Sequence, residues 1–141
     1  MLDWNCSPKL AQIVDQFDDD SDVQHLGKWC GQDTPDETWL RVVAADPAVP
    51  VVVSGDMRIV KNRAQAQVLA GLALTFVALA KGWTSLQWDD QVIKLLSVWP
   101  AIRKAASQAS RPTVFVVPIN SLRVDRMCFT DELARRKAPR P

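Results

Sequence analysis

Apolar residues recur along this chain with two distinct periods. Leu10, Ile13, Val14 and Phe17 fall at helical spacing behind Ser7 as an N-cap and Pro8 in the first turn, which predicts a short amphipathic helix over residues 9–17. Further on, Thr34 is placed to cap and Pro35 to open a second helix, with Trp39, Leu40 and Val43 as its buried stripe. A third helical segment runs from about Arg63 to Ala70 and is closed by Gly71. In residues 88–109, Val92, Leu95, Leu96, Trp99 and Ile102 keep helical phase around Pro100, which predicts one kinked helix or two in sequence. Between these segments lie short apolar runs. Residues 51–53, 74–79 and 113–117 read as buried strands, and residues 23–26 as a brief one ended by Gly27. Periodicity alone leaves a helix open for residues 74–79; their shortness and their Thr, Phe and Val content favour a strand. Strands alternating with helices predict a small α/β sandwich with a largely parallel central sheet.

Composition narrows the picture. At 141 residues the chain is most simply one domain, here placed at residues 1–118, followed by a C-terminal extension over residues 119–141. That extension ends in Arg135, Arg136, Lys137 and Arg140 among prolines, a composition expected to be partly disordered. Net charge is +1, from 17 Lys and Arg against 16 Asp and Glu, so no global field announces a nucleic-acid or membrane partner. Cys6, Cys30 and Cys128 are an odd number at wide spacings, which suits neither a zinc site nor a disulfide scaffold and predicts a reducing compartment. The most apolar run, residues 68–80, is too short to span a bilayer, and no signal-peptide pattern precedes the first acids. The expectation is a soluble cytoplasmic protein with no membrane partner.

Candidate chemistry rests on three acids. Asp56 follows the 51–53 strand across the small turn Ser54-Gly55, at the carboxyl end of a strand, where ligands and metal ions collect in open α/β sheets. Asp3 stands similarly near the start of the chain, and Asp36 falls at a helix start. If the fold gathers all three at one sheet edge, they repel by about 4 kcal/mol per pair at 4 Å with an effective dielectric of about 20. A hard divalent cation, Mg²⁺ or Mn²⁺, is then the natural occupant, and its open positions permit phosphodiester hydrolysis. Each acid also has a plainer explanation: Asp3 as a polar terminal residue, Asp36 as a helix-start acid worth about 0.3–1 kcal/mol against the dipole, Asp56 as a turn residue. Arg58, Lys61 and Arg63 follow Asp56 and suit either phosphate contacts or a solvated basic turn. His25, the one histidine, reads as a strand-edge residue rather than a general base. The six tryptophans read mainly as core or interface residues; Trp29, beside Cys30 and Gly31, is a candidate to stack on a base or anchor a partner.

The same positions carry a family resemblance. The opening Leu2-Asp3-Trp4-Asn5-Cys6-Ser7-Pro8 resembles the "FxDExLP" start of the short PIN-like nucleases; residues 33–40, containing Asp36, resemble their "DxxW/I" helix start, and residues 51–59 their "hhhTxDxxI" strand end. The likeness continues through residues 76–83, Trp99-Pro100 and residues 114–118, and the order of motifs is similar to that of the VapC-like PIN toxin group. It implies a PIN-like α/β/α fold and a metal-dependent endoribonuclease, the toxin of a bacterial toxin–antitoxin pair. The implied site has Asp3, Asp36 and Asp56 as catalytic and metal-holding acids, Asn5 and Arg58 at matching polar positions beside them, and Mg²⁺ or Mn²⁺ as cofactor; with Lys61, from the basic turn, Asn5 and Arg58 are the candidate substrate-binding residues. RNA, a cognate antitoxin and a second copy of the chain are the implied partners. Three positions depart from the family pattern: only Met1 and Leu2 precede the first acid, Trp4 stands where many relatives have Glu, and Gln65 where they often carry a further acid. Those departures keep a second reading in play, a non-catalytic PIN-like module acting through protein contacts. A hydrolase of some other phosphoester shares the same site.

Overall fold

The computed structural model describes residues 1–49 and 51–127. Among them, strands β1 (Val51–Ser54), β2 (Thr75–Leu79), β3 (Thr113–Val117) and β4 (Asp125–Met127) form one sheet in the order β1-β2-β3-β4. The first three are parallel, with Val52 beside Phe76 and Val77 beside Phe115. β4 returns antiparallel, with Arg126 opposite Phe115. On the far side of β1 the sheet is extended by one residue only: Leu2 forms parallel bridges to Val53 and to His25.

Helices cover both faces, α2 (Asp36–Ala44), α3 (Arg58–Lys61) and α4 (Arg63–Ala70) on one, α1 (Pro8–Phe17) and α5 (Trp88–Gln108) on the other. Alternation along the strands sorts the side chains. Val52, Phe76, Ala78 and Val114 pack with Trp39, Leu40, Val43, Ile59 and Leu69. Val53, Val77, Leu79, Phe115 and Val117 pack with Leu10, Val14, Leu95, Val98, Trp99 and Ile102. A strand buried on both faces needs apolar residues at every position, which is why these segments read as continuous apolar runs. The result is the expected α/β/α sandwich around a mostly parallel sheet. No helix of the described residues is long and apolar enough to cross a membrane.

Local details differ from the sequence reading in four places, and one alternative is resolved. Residues 23–26 form no strand: His25 makes a single bridge and Leu26 already starts a 3-10 turn, Leu26–Lys28, capped by the His25 imidazole. Its partner segment offers only two residues before Asp3, too few for a ladder. Thr34 does not cap α2; Pro35 occupies the N-cap position without a side-chain bond. Of the one helix or two left open around Pro100, α5 is one helix of 21 residues, with Val98, Trp99 and Ile102 buried on both sides of the proline. α3 is a short helix that the pattern did not mark, and β4 is a charged edge strand without apolar alternation. Through β4 the sheet reaches beyond residue 118. Residues 128–141, with Cys128 and the basic tail expected to be disordered, lie outside the described residues.

Asp18, just after α1, ties that helix to α5. Its carboxylate accepts the Trp99 indole N–H at 2.8 Å and pairs with Arg103 at 3.1 Å. Burial opposes its charge, but the Trp99, Ser21 and Asp20 donors and Arg103 together hold the carboxyl below the usual carboxylate range. A depressed folded-state pKa stabilises above the unfolded value, near 4, and that contribution is lost as pH falls through the lower folded value. Asp18→Asn is therefore expected to lower the melting temperature at pH 7, with the gap to the wild type closing below about pH 4, as read by thermal denaturation across pH.

Candidate active site

The chain start is woven into the carboxyl end of β1. Val53 N–H donates to Met1 O at 2.8 Å and Asp3 N–H to Val53 O at 3.1 Å, so Asp3 arrives beside Ser54 at the sheet edge. One Asp3 carboxylate oxygen accepts the Ser54 hydroxyl; the other accepts the Asn5 N–H at 3.1 Å and the Gly55 N–H at 3.4 Å. Gly55 permits this approach, since a Cβ there would stand 2.9 Å from Thr84 Cγ2 and 3.1 Å from Asn5 Cβ. Asp3 is only 2% exposed, and each of these donors is neutral. Burial pushes its pKa up to about 6; the Ser54, Asn5 and Gly55 bonds pull against this, and the negative charge of Asp56 adds to it.

Ser54 links the two acids. Its hydroxyl donates to Asp3 while its oxygen accepts the Asp56 N–H at 3.0 Å. The Asp56 carboxylate then turns to Arg58, accepting the Arg58 backbone N–H and Nε each at 2.9 Å on one oxygen and Nη2 at 3.0 Å on the other. Burial, the largest single influence, raises the Asp56 pKa, and the Arg58 bonds and charge together outweigh it, leaving the carboxyl below its ordinary value. Asp56 bonding raises the Arg58 pKa, with a smaller contribution from Asp36.

Asp36 opens α2 and is engaged elsewhere: one oxygen accepts the Trp39 indole N–H at 2.8 Å, the other the Gln65 amide at 2.8 Å. Asn62 caps α4 by accepting the Ala64 and Gln65 N–H groups, which places Gln65 in the first turn facing Asp36. The structure thus links Asp3 with Asp56 through Ser54 and commits Asp36 to Gln65 and Trp39, with Arg58 under the negative charge first of Asp56 and then of Asp36. Among the described residues there is no group of three or more His, Cys, Asp or Glu placed to hold a metal ion. Asn5 contributes its backbone N–H to Asp3, and its side chain is exposed; Lys61 ends α3 on the exposed side.

A family model described as a PIN-like domain matches residues 1–81, more than half of the chain. The chain belongs to the PIN-like domain family. No curated protein and no solved structure matches it. The matched span contains Asp3, Asp36, Asp56, Asn5, Arg58 and Lys61 and ends just after β2. PIN-like domains are nuclease-type domains, generally hydrolases and usually users of divalent metals. In this PIN-like domain the donor set suits such an ion: Mg²⁺ is commonly held by one or two carboxylates and completes its shell with water. Asp3 and Asp56 supply two carboxylates, with Ser54 Oγ bonded to the Asp3 carboxylate and to the Asp56 backbone N–H, and the buried Asp3 carboxylate is met by neutral donors, an arrangement whose negative charge a cation relieves.

Other prominent features serve the scaffold. His25 is buried, accepts the Gly27 N–H on Nδ1 and donates from Nε2 to Cys6 O at 2.8 Å. Trp4 sits edge-on to it at 5.0 Å between ring centres and donates its indole N–H to Cys30 O. Burial raises the Cys6 thiol pKa, so it stays protonated. A cavity of about 760 Å³ opens instead around Met1, Val51, Trp29 and Trp99 at the amino end of β1, and none of the three acids lines it. Ser54 was the functional residue hardest to see in sequence, its only signal being a hydroxyl directly before Gly55-Asp56.

The raised Asp3 pKa sets a sign. The folded state binds this proton more tightly than the unfolded chain, so stability falls as pH rises from about 4 to about 6 and stays lower above. Asp3→Asn removes that penalty. In the absence of divalent metal it is expected to stabilise the protein at pH 7.5 by roughly 1–3 kcal/mol, with little difference at pH 3.5, measured by denaturant unfolding at both pH values.

Proposed function

We propose that this PIN-like domain is a metal-dependent endoribonuclease and, in the cell, the toxin of a VapC-like toxin–antitoxin pair acting in the cytoplasm. The observation that carries the reading is the buried Asp3 carboxylate, joined through Ser54 to Asp56 at the carboxyl end of a parallel sheet and met by neutral donors. Asp3 and Asp56 would hold Mg²⁺ or Mn²⁺, which when bound polarises the phosphodiester and lowers the pKa of an attacking water. Ser54 fixes the two acids relative to one another. Asp36, held by Gln65 and Trp39, would contribute negative charge on the side of Arg58. Arg58, Lys61 and Arg63 are exposed at α3 and the start of α4, where they attract RNA phosphates without reading sequence; Asn5 flanks them from the chain start. Because net charge is only +1, this attraction is local rather than a property of the whole surface. A cognate antitoxin and a second copy of the chain are the partners this reading implies.

One observation favours the non-catalytic alternative: Gln65, an amide in place of a further acid, occupies an oxygen of Asp36. An RNA cleavage assay separates the two. Wild-type protein with Mn²⁺ is expected to cleave RNA, EDTA to stop cleavage, and Asp3→Asn and Asp56→Asn each to reduce the rate by about 100-fold or more. Cleavage of equal extent in all samples, or none in the wild type over a panel of RNAs, overturns the proposal.

A further inference from the structure

The three contacts of Arg58 on Asp56 leave neither carboxylate oxygen unengaged. Nε and the backbone N–H take one oxygen at 2.9 Å each, and Nη2 takes the other at 3.0 Å. This is the two-pronged fit of a guanidinium on a carboxylate, which uses the lone pairs that an incoming cation needs. Exposure of the two partners is very unequal. The Asp56 side chain is 10% exposed and that of Arg58 is 84% exposed. Asp56 is anchored through its N–H on Ser54, whereas the Arg58 guanidinium can swing into water without breaking any packing. The positive charge also lies within the field of Asp36 as well as of Asp56, so it stands where a divalent ion serving these acids would be drawn.

We infer that Arg58 is a built-in competitor for the metal: it closes Asp56 in the metal-free protein and must turn outward when a divalent cation binds, which presents it to an incoming phosphate. This inference rests on the metal-dependent reading above and adds a coupling to it. Metal binding and phosphate binding call for the same movement of one side chain, so each favours the other. The backbone N–H of Arg58 stays on Asp56 throughout and keeps the carboxylate aimed. An exposed ion pair of this kind is weak enough to yield, and strong enough to lower the cation affinity measurably.

The test is calorimetric titration of the full chain with Mn²⁺ at low ionic strength, comparing the wild type with Arg58→Gln, Arg58→Lys and Asp56→Asn, each checked for an unchanged melting profile. Arg58→Gln is expected to bind Mn²⁺ about fivefold more tightly than the wild type. Arg58→Lys is expected to tighten binding as well although it keeps the charge, since an ammonium cannot span both oxygens; Asp56→Asn should abolish the signal. Affinity in Arg58→Gln equal to or weaker than the wild type overturns the competitor role and leaves the metal reading standing. Tightening confined to Arg58→Gln, with Arg58→Lys unchanged, also overturns it, because net charge alone would then explain the effect. Absence of Mn²⁺ binding in every protein removes the metal reading and this inference together.

Discussion

A single hydroxyl, Ser54 Oγ, holds together two acids that are 53 positions apart in the chain. It gives its proton to Asp3 and receives the N–H of Asp56, and both contacts require the chain start to lie beside the end of β1. That neighbourhood is secured by backbone bonds from Val53 to Met1 and from Asp3 to Val53, one bridge wide on each side of Leu2. Leu2 is fully buried, so the shortness of the pairing is offset by packing rather than by further ladder bonds. The site thus stands on a minimal first strand fixed by burial.

The electrostatic character of the edge follows from that placement. A carboxylate carried into the core by its backbone is desolvated, and neutral donors only partly compensate; Asp3 therefore resists ionisation, while Asp56, facing Arg58, favours it. Two acids tied to the same serine are pushed in opposite directions by their surroundings. Above about pH 6 the raised pKa of Asp3 costs stability while the lowered pKa of Asp56 contributes to it, so the pair as a whole is not what holds the fold. The fold draws its stability from elsewhere, chiefly from strands buried on both faces and from pins such as Asp18 between Trp99 and Arg103.

The positions that depart from the family pattern find local explanations. Trp4, in place of an acid, covers His25 and reaches Cys30, closing the outer edge next to Leu2 with apolar surface. Gln65, in place of a further acid, donates to Asp36, where a carboxylate would repel it. Both changes trade negative charge for packing or hydrogen bonds around the pair that remains, Asp3 and Asp56.

Sequence by itself determined the layers and the placement of the acids. Doubly buried strands write themselves as unbroken apolar runs, and α1 and α4 announce their ends through Ser7 and Gly71, because both signals are local in the chain. The positions of Asp56 after a strand and Asp36 at a helix start were likewise legible, since strand ends and helix starts are marked by neighbouring residues. Pairings between distant segments had no such local mark. Only the tertiary structure decided that residues 23–26 would give one bridge rather than a strand, that α5 would be one helix through Pro100 rather than two, and that the short segment Asp125–Met127, with two charged residues, would close the sheet. It alone divided the acids, joining Asp3 to Asp56 through Ser54 and turning Asp36 to Gln65, because side-chain partnership depends on distances across the fold that no spacing along the chain encodes.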